Sequence, residues 1–253
     1  MDFTNLFVLF MILWFVIAVL AFFILFKVPA PYGRYTSSRW KFTIASKYGW
    51  LIMESPAVFV FAAWFLFGKY TQTYTAILFF VMWETHYLYR SFIYPFTLQE
   101  KDKQMPYAIL LSAFFFNIIN GTINGSYVFT ISGGYPNDWF SDMRFILGFS
   151  LFAVGLITNI LSDRILRNLR APGETGYKIP TGGLFRWVSC PNYLGEIVEW
   201  TGWAIATWSI SGLAFAVWTG ANLIPRALSH HKWYRNNFPE YPDERKALIP
   251  GLW

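Results

Sequence analysis

The feature that most constrains this chain is an uncharged, apolar run from residue 3 to residue 26. A helix of roughly 20 apolar residues is long enough to cross the hydrocarbon layer of a membrane. No small-residue cleavage site follows the run, so we expect a retained transmembrane helix and not a signal peptide. Further long apolar runs lie near residues 50–67, 74–95, 107–131, 143–161, 193–209 and 212–228. The sequence therefore predicts an all-α integral membrane protein in which residues 1–253 form one domain of seven transmembrane helices.

The basic residues predict the orientation of these helices. All of the 20 Lys and Arg residues except Lys69, Arg90 and Arg144 fall in alternate loops or in the C-terminal segment. Positive charge collects in cytoplasmic loops, which predicts an N-terminus outside and a C-terminus in the cytoplasm. The net charge of +6 follows from this bias, and nucleic-acid binding is a poor explanation of it. The compact chain without a targeting tail favours a bacterial inner membrane, with the endoplasmic reticulum as the alternative.

Metal and disulfide chemistry have little support in the sequence. Cys190 is the only cysteine, so no intrachain disulfide forms. The adjacent His230 and His231 point in different directions on any helix, and no Cys/His spacing resembles a zinc site. We therefore expect no metal.

Polar residues inside the predicted spans indicate a cavity. The set comprises Glu54, Glu84, His86, Tyr87, Arg90, Asn117, Asn120, Asn124, Glu196 and Glu199. Some could pair with one another, for instance Glu84 with Arg90, and Glu84 or Glu199 could reach the lipid headgroups. So many polar groups in one bundle nevertheless require a wet or ligand-filled interior.

The spacing of these residues places them on two helix faces. Asn192, Glu196 and Glu199 share one face, and the three asparagines at 117, 120 and 124 share another. Gly121 and Gly125 form a small-xxx-small pair, which predicts close helix packing. The cytoplasmic loops 30–42 and 162–185 mix basic residues with Gly, Tyr and Asp, as a phosphate-bearing ligand needs. No Rossmann or P-loop motif accompanies them.

Several segments resemble the steroid 5α-reductases, nearest to their type 2 enzyme. The resemblance is dense in "SDRILRNLRAPGETGYKIPTGGLFRWVSCPNYLGEIVEWTGWAIATWS" and "RALSHHKWYRNNFPEYPDERKALIP", and it includes "WLIMESP", "HYLYRSFIYP" and "YPNDWFSDMRFILG". It is thinner in the first span, and residues 96–105 depart from the family pattern, which weakens any phosphate contact expected from that loop.

The resemblance implies NADPH-dependent reduction of the 4,5 double bond of 3-oxo-Δ4-steroids to 5α-3-oxosteroids. It implies that Glu54 and Tyr87 face the C3 ketone and that Asn192 and Glu196 hold the nicotinamide end. The other residues implied to lie against the cofactor are Trp50, His230 and Tyr234 near the nicotinamide, and Tyr32, Arg34, Asn159, Asp163, Arg170 and Tyr177 along the ribose and phosphates. Arg226 and Arg245 are expected to brace the cytoplasmic lid.

The expected chemistry suits these residue types. Hydride reaches C5 of an enone only if the negative charge that develops on the C3 oxygen is stabilised, and desolvated hydroxyl and carboxyl groups can donate hydrogen bonds to it. A buried carboxyl can stay protonated and act as such a donor. The sterol partner would enter from the lipid bilayer, and a dry cavity would exclude water from the hydride path.

Other functions fit parts of the sequence. A related membrane reductase of polyprenols or enoyl-thioesters would share the cofactor-binding C-terminal half. An isoprenylcysteine-type methyltransferase also carries a Pro-x-Tyr-x-Gly-Glu run like "PNYLGE". A lipid-binding receptor or scaffold with seven spans would leave the buried acids and the polar cytoplasmic loop unexplained.

Overall fold

The computed structural model describes residues 3–28, 35, 40–98, 103–171, 174 and 176–252. Within these residues helices dominate, and their order follows the apolar runs. The helices are α1 (Phe3–Lys27), α2 (Ser46–Phe67), α3 (Tyr74–Leu88), α4 (Tyr94–Thr97), α5 (Tyr107–Ser126), α6 (Met143–Arg167), α7 (Pro191–Thr207) and α8 (Ile210–Asn237). Two π-helical turns, Tyr89–Ile93 and Tyr127–Ile131, extend α3 and α5, and short 3-10 turns cover Trp139–Ser141 and Gly183–Arg186.

Each predicted apolar run corresponds to one of these helices, with α3, its π-turn and α4 together covering the run near 74–95. Among the described residues, four segments are long and apolar enough to cross a membrane: Asn5–Lys27, Ser46–Phe67, Tyr107–Ile131 and Met143–Arg167. The structure is thus mostly helical, with candidate membrane-spanning helices, as expected for an all-α membrane protein. The count of seven spans and the orientation stay predictions.

The chain divides into two compact units, one comprising Met1–Ala30 with Leu147–Trp253 and the other Pro31–Ile146. We call them the α7–α8 unit and the α2–α5 unit. The prediction of one domain is not tested by this division.

The α2–α5 unit is held together by a close helix pair and an aromatic core. Gly121 of α5 faces α2, where an added Cβ would lie 3.3 Å from Val60 Cγ1, so the predicted packing role of this glycine is confirmed. The Phe61 ring stacks on Trp83 with centroids 4.4 Å apart, and Phe65 stacks on Phe80 at 4.3 Å. The antiparallel strands β1 (Thr43–Ala45) and β2 (Gln104–Pro106) join the N-terminal ends of α2 and α5.

The α7–α8 unit is organised by contact between the backbones of α6 and α7. A Cβ added to Gly195 of α7 would lie 2.6 Å from the main-chain nitrogen of Asn159 on α6. One added to Gly155 of α6 would collide with the main chain of Glu199 on α7. Real Cβ atoms do not tolerate such distances, so glycine at both positions allows these helices to meet. This contact brings polar side chains of the two helices together.

A short main-chain ladder fixes the N-terminal end of α7. Val188 and Lys246 form a parallel bridge. Ser189 N donates to Lys246 O at 2.8 Å, and Cys190 N donates to Ala247 O at 3.2 Å. The C-terminal segment therefore holds the residues immediately before Pro191, where α7 begins.

Candidate active site

Pro56 lies inside α2, two residues after Glu54, and interrupts the backbone hydrogen bonding of the helix there. Proline has no N–H to donate to the carbonyl four residues earlier, and the hydroxyl of Ser55 lies 3.2 Å from that carbonyl, Ile52 O. The next carbonyl, Met53 O, accepts a hydrogen bond of 2.7 Å from Asn117 Nδ2. The side chains of Ser55 and Asn117 therefore donate hydrogen bonds to the main-chain carbonyls of this helical turn.

Glu54 is half-buried and contacts the same asparagine. Its Oε2 accepts a hydrogen bond of 3.1 Å from Asn117 Nδ2. Asn117, Asn120 and Asn124 are all buried, at 4%, 0% and 0% exposure. The polar stripe predicted on α5 thus faces the protein interior, and its first member supports Glu54.

Tyr87 lies at the level of Glu54 along the α2–α3 pair. Six residues join the two helices, which run antiparallel, and Trp83 Nε1 donates to Ala57 O at 3.0 Å. Glu54 lies three residues before Ala57 on α2, and Tyr87 lies four residues after Trp83 on α3. Both therefore lie about one helical turn beyond this hydrogen bond. The Tyr87 ring is 4% exposed and packs against Trp83 and His86 with centroids 4.9 Å away in each case.

A π-helical turn, Tyr89–Ile93, begins two residues after Tyr87. Such turns occur often at functional sites. Here the turn carries Arg90, whose guanidinium stacks over the Trp50 ring at 4.8 Å and over the Tyr94 ring at 4.4 Å. Trp50, predicted to lie near the nicotinamide, is therefore held by cation–π contact within the α2–α5 unit.

The pairing of Glu84 with Arg90 considered from the sequence is wrong, whereas the reach of Glu84 or Glu199 to the headgroups stays untested. Within the described residues no ion pair joins Glu84 to Arg90. The Glu84 side chain is 6% exposed and that of Glu199 0% exposed, so protein atoms enclose both side chains. Glu84 Oε1 is buried with no hydrogen-bond partner among the described residues.

A hydrogen-bonded chain of polar residues joins α6 and α7. Asn159 Nδ2 donates to Asn192 O at 3.0 Å and lies 3.4 Å from Glu196 Oε2. Asn192 Nδ2 in turn donates to Asp163 Oδ1 at 3.0 Å. Asn159 and Asp163 are 1% and 3% exposed. The structure therefore brings together four of the residues implied to bind the cofactor.

A second polar group links α7 and α8. Arg226 Nη2 donates to the hydroxyl oxygen of Tyr193 at 3.0 Å, and this hydroxyl lies 3.2 Å from His230 Nε2. Because the hydroxyl accepts from the guanidinium, its own proton is available for His230 Nε2. The sequence resemblance named His230 but missed Tyr193, although Tyr193 is part of the quoted run "PNYLGE".

The remaining predicted residues lie in the loop after α6 and near the C-terminal end of α8. Arg170 Nη1 donates to Gly176 O at 3.1 Å, and the Tyr177 ring packs edge-on against Trp233 at 5.0 Å. Tyr234 is 4% exposed and stacks on Tyr241 with centroids 5.3 Å apart. Tyr32 and Arg34 lie outside the described residues.

Arg245, expected to brace the cytoplasmic lid, does contact a loop. Its Nη1 donates to Pro180 O at 3.2 Å, and its guanidinium lies 4.9 Å from the centre of the Tyr241 ring. Arg226 instead contacts Tyr193 within the helix pair. The function of either residue as a brace stays a prediction.

Comparison with known proteins identifies the family. The family described as 3-oxo-5-alpha-steroid 4-dehydrogenase matches residues 103–253, more than half of the chain. The steroid 5-alpha-reductase DET2 of Solanum lycopersicum is 44% identical over 252 residues, which cover 97% of each chain. The 3-oxo-5-alpha-steroid 4-dehydrogenase 1 of Bos taurus is 42% identical over 240 residues, covering 93% of each chain. This chain belongs to the steroid 5α-reductase family.

Membership makes the chain an oxidoreductase of a family of membrane enzymes, and it supports the resemblance stated from the sequence. The human 3-oxo-5-alpha-steroid 4-dehydrogenase 1 is also similar, at 40% identity over 229 residues, covering 90% of this chain and 88% of the human one. These relatives are type 1 enzymes and a plant reductase, so the expected nearness to type 2 stays a prediction. The relatives are eukaryotic, and the choice between a bacterial inner membrane and the endoplasmic reticulum also stays open.

Proposed function

We propose that this protein reduces the 4,5 double bond of 3-oxo-Δ4-steroids to 5α-3-oxosteroids, with NADPH as the reductant. The observation that carries the proposal is the similarity along nearly the whole chain to relatives named for this reaction. Two features of the structure support it. Glu54 and Tyr87 lie at one level of the α2–α3 pair, and polar residues of α6 and α7 form a single hydrogen-bonded chain.

In the proposed mechanism, Glu54 and Tyr87 bind the C3 oxygen of the steroid. The Tyr87 hydroxyl and the protonated Glu54 carboxyl both donate hydrogen bonds to this oxygen. These bonds strengthen as negative charge develops there during reduction, so they stabilise the transition state more than the bound steroid. A proton from solvent adds at C4 of the resulting enolate and yields the saturated 3-ketone, so that one hydride and one proton are added in total.

The residues of the α7–α8 unit fit a nicotinamide cofactor. Asp163 and Glu196 supply carboxylate oxygens, which accept hydrogen bonds from ribose hydroxyls and from an amide. The Arg170 guanidinium is suited to a phosphate. Asn192 donates a hydrogen bond to Asp163, and Asn159 links Asn192 to Glu196. Asn192 would contact the nicotinamide end of the cofactor through its main chain and its amide. A nicotinamide cofactor held by these residues would supply the hydride for C5.

The surrounding apolar residues serve the reaction by excluding water. Tyr87 is packed between aromatic rings, and Trp83 is fully buried beside it. Hydrogen bonds to a developing oxyanion are worth more in such an environment than in water. The steroid, which partitions into lipid, would reach this environment from the bilayer.

The product identifies the reaction. Purified protein in detergent would be given testosterone or progesterone with NADPH deuterated at the transferred position. We expect a 5α product, identified by chromatography against 5α and 5β standards, that carries deuterium at C5 by mass spectrometry. Tight NADPH binding without reduction of either steroid would contradict the proposed substrate and would favour another unsaturated lipid. Binding of S-adenosylmethionine in place of NADPH would contradict the reductase altogether.

A further inference from the structure

The geometry points to Asn117 as the positioning residue of Glu54: it fixes the carboxyl group and disfavours a proton on Oε2, the oxygen that faces its N–H. This inference rests on the proposed function, in which Glu54 donates a hydrogen bond to the steroid ketone. It concerns a residue that does not itself contact the substrate.

The orientation of the Asn117 amide is determined by its partners. A main-chain carbonyl can only accept, so the group that lies 2.7 Å from Met53 O must be the NH₂ group of the amide. The same nitrogen lies 3.1 Å from Glu54 Oε2. An asparagine NH₂ has two hydrogens, and the two acceptors on α2 account for both. Asn117 therefore bridges the backbone and the side chain of consecutive residues.

The bridge is rigid because of the way α5 meets α2. Asn117 is 4% exposed. One turn further along α5, Gly121 lets the helices approach so closely that an added Cβ would lie 3.3 Å from Val60 Cγ1. At this separation the short asparagine side chain reaches the α2 backbone directly.

The position of the proton follows from this bridge. Oε2 of Glu54 faces an N–H donor, so it acts as an acceptor. A proton on Oε2 would compete with that N–H. Asn117 therefore disfavours a proton on Oε2, and it restricts rotation of the carboxyl group by holding this oxygen. A donor fixed in this way loses little entropy when the ketone arrives, which is the condition for efficient electrostatic stabilisation.

Two substitutions test the inference. Asn117→Leu removes both hydrogen bonds at similar volume, and we expect kcat to fall on the order of 100-fold, with the Kd for NADPH unchanged. Asn117→Asp keeps the shape but places a second carboxyl beside Glu54. Two such carboxyls share a proton, so we expect kcat to fall with rising pH across a range in which the unmodified protein is flat. An unchanged pH profile in Asn117→Asp would contradict contact between residue 117 and the Glu54 carboxyl, and the kcat of Asn117→Leu at unchanged Kd for NADPH distinguishes positioning from packing.

Thr122→Val is the matched control. Its hydroxyl donates to Ile118 O within α5 at 2.7 Å, so this isosteric change removes a side-chain hydrogen bond from the same helix without touching Glu54. We expect its kcat to equal that of the unmodified protein. Full kcat in Asn117→Leu would overturn the inference. Parallel loss of kcat and of NADPH affinity in both Asn117 variants would also overturn it, because it would assign the residue to packing alone.

Measuring Glu54→Gln beside these variants separates the inference from the function it rests on. An inactive Glu54→Gln with a fully active Asn117→Leu would leave the proposed function intact and reject only the positioning role. An active Glu54→Gln would reject the proposed proton donor, and with it the reason for positioning it.

Discussion

Asn159 on α6 and Asn192 on α7 are joined by a hydrogen bond of 3.0 Å from Nδ2 to the main-chain carbonyl oxygen. The bond lies one turn beyond the glycine contact between the two helices. It fixes the first turn of α7, which carries Asn192 and leads to Glu196. The proposed cofactor site therefore depends on how α6 and α7 pack as much as on the residues that would touch NADPH.

Loss of this hydrogen bond should weaken cofactor binding. We expect Asn159→Leu to raise the Kd for NADPH about 10-fold, the effect of one hydrogen bond worth about 1.4 kcal/mol. Fluorescence titration of the purified protein measures this change. Thr201→Val is the control, because the Thr201 hydroxyl donates to Ile197 O within α7. An unchanged Kd in Asn159→Leu would show that the asparagine chain does not orient the cofactor site.

The glycine contact predicts opposite outcomes for two glycine substitutions. Gly155→Ala should lower both the melting temperature and the affinity for NADPH, since the new Cβ would collide with the main chain of Glu199. Gly220→Ala on α8 should leave both unchanged or raise stability slightly, because its Cβ would meet only Ile224 Cδ1 at 3.6 Å and alanine favours helix by about 1 kcal/mol. Equal effects of the two changes would contradict the close packing of α6 and α7.

Arg170 should contribute through its charge. Arg170→Ala is expected to weaken NADPH binding and to make the remaining affinity less sensitive to ionic strength, because salt screens contacts with phosphate. Isothermal titration at low and high salt measures both effects. The control is Arg186→Ala, which removes an exposed arginine whose guanidinium lies 5.8 Å from the Trp187 ring. If both variants lost affinity equally, the effect would belong to general positive charge and not to a contact of Arg170.

The C-terminal packing should weaken in mild acid. Ser189 Oγ lies 2.7 Å from His231 Nδ1 and 2.6 Å from the hydroxyl of Tyr241. His231 lies beyond the predicted span 212–228, and burial lowers its pKa below the ordinary 6.5, with the positive charges of Arg235, Lys246 and Arg245 acting in the same direction. The unfolded chain then binds the proton more readily, so stability is lost as the pH falls below about 6.5.

Melting curves measure this pH dependence. We expect the melting temperature to decrease between about pH 7.5 and about pH 5.5, and the decrease to be smaller in His231→Gln, whose side chain does not titrate. An identical decrease in the two proteins would place the responsible group elsewhere.

The sequence predicted the helices well because long uncharged runs follow directly from the physics of the bilayer. The burial of Asn117, Asn120 and Asn124 on one face of α5 was likewise readable from their spacing. The hydrogen-bond partners of these residues could not be predicted from the sequence. The bond from Asn117 to Glu54 depends on how closely α5 approaches α2, and no local pattern gives that distance. The sequence suggested Arg90 as a partner of Glu84, but its guanidinium stacks on Trp50 and Tyr94. Aromatic rings also attract a guanidinium, and pairing residues by charge alone does not consider this attraction.

Glu54 is proposed to donate a hydrogen bond to the substrate ketone, and the Glu54→Gln variant removes this acidic proton. Steroid turnover and the Kd for NADPH would be measured on the same preparation of the variant and of the unmodified protein. We expect turnover to 5α product to be abolished while the Kd stays within about twofold, because the glutamine amide is a much weaker proton source at a developing oxyanion. Full turnover by Glu54→Gln would contradict the account.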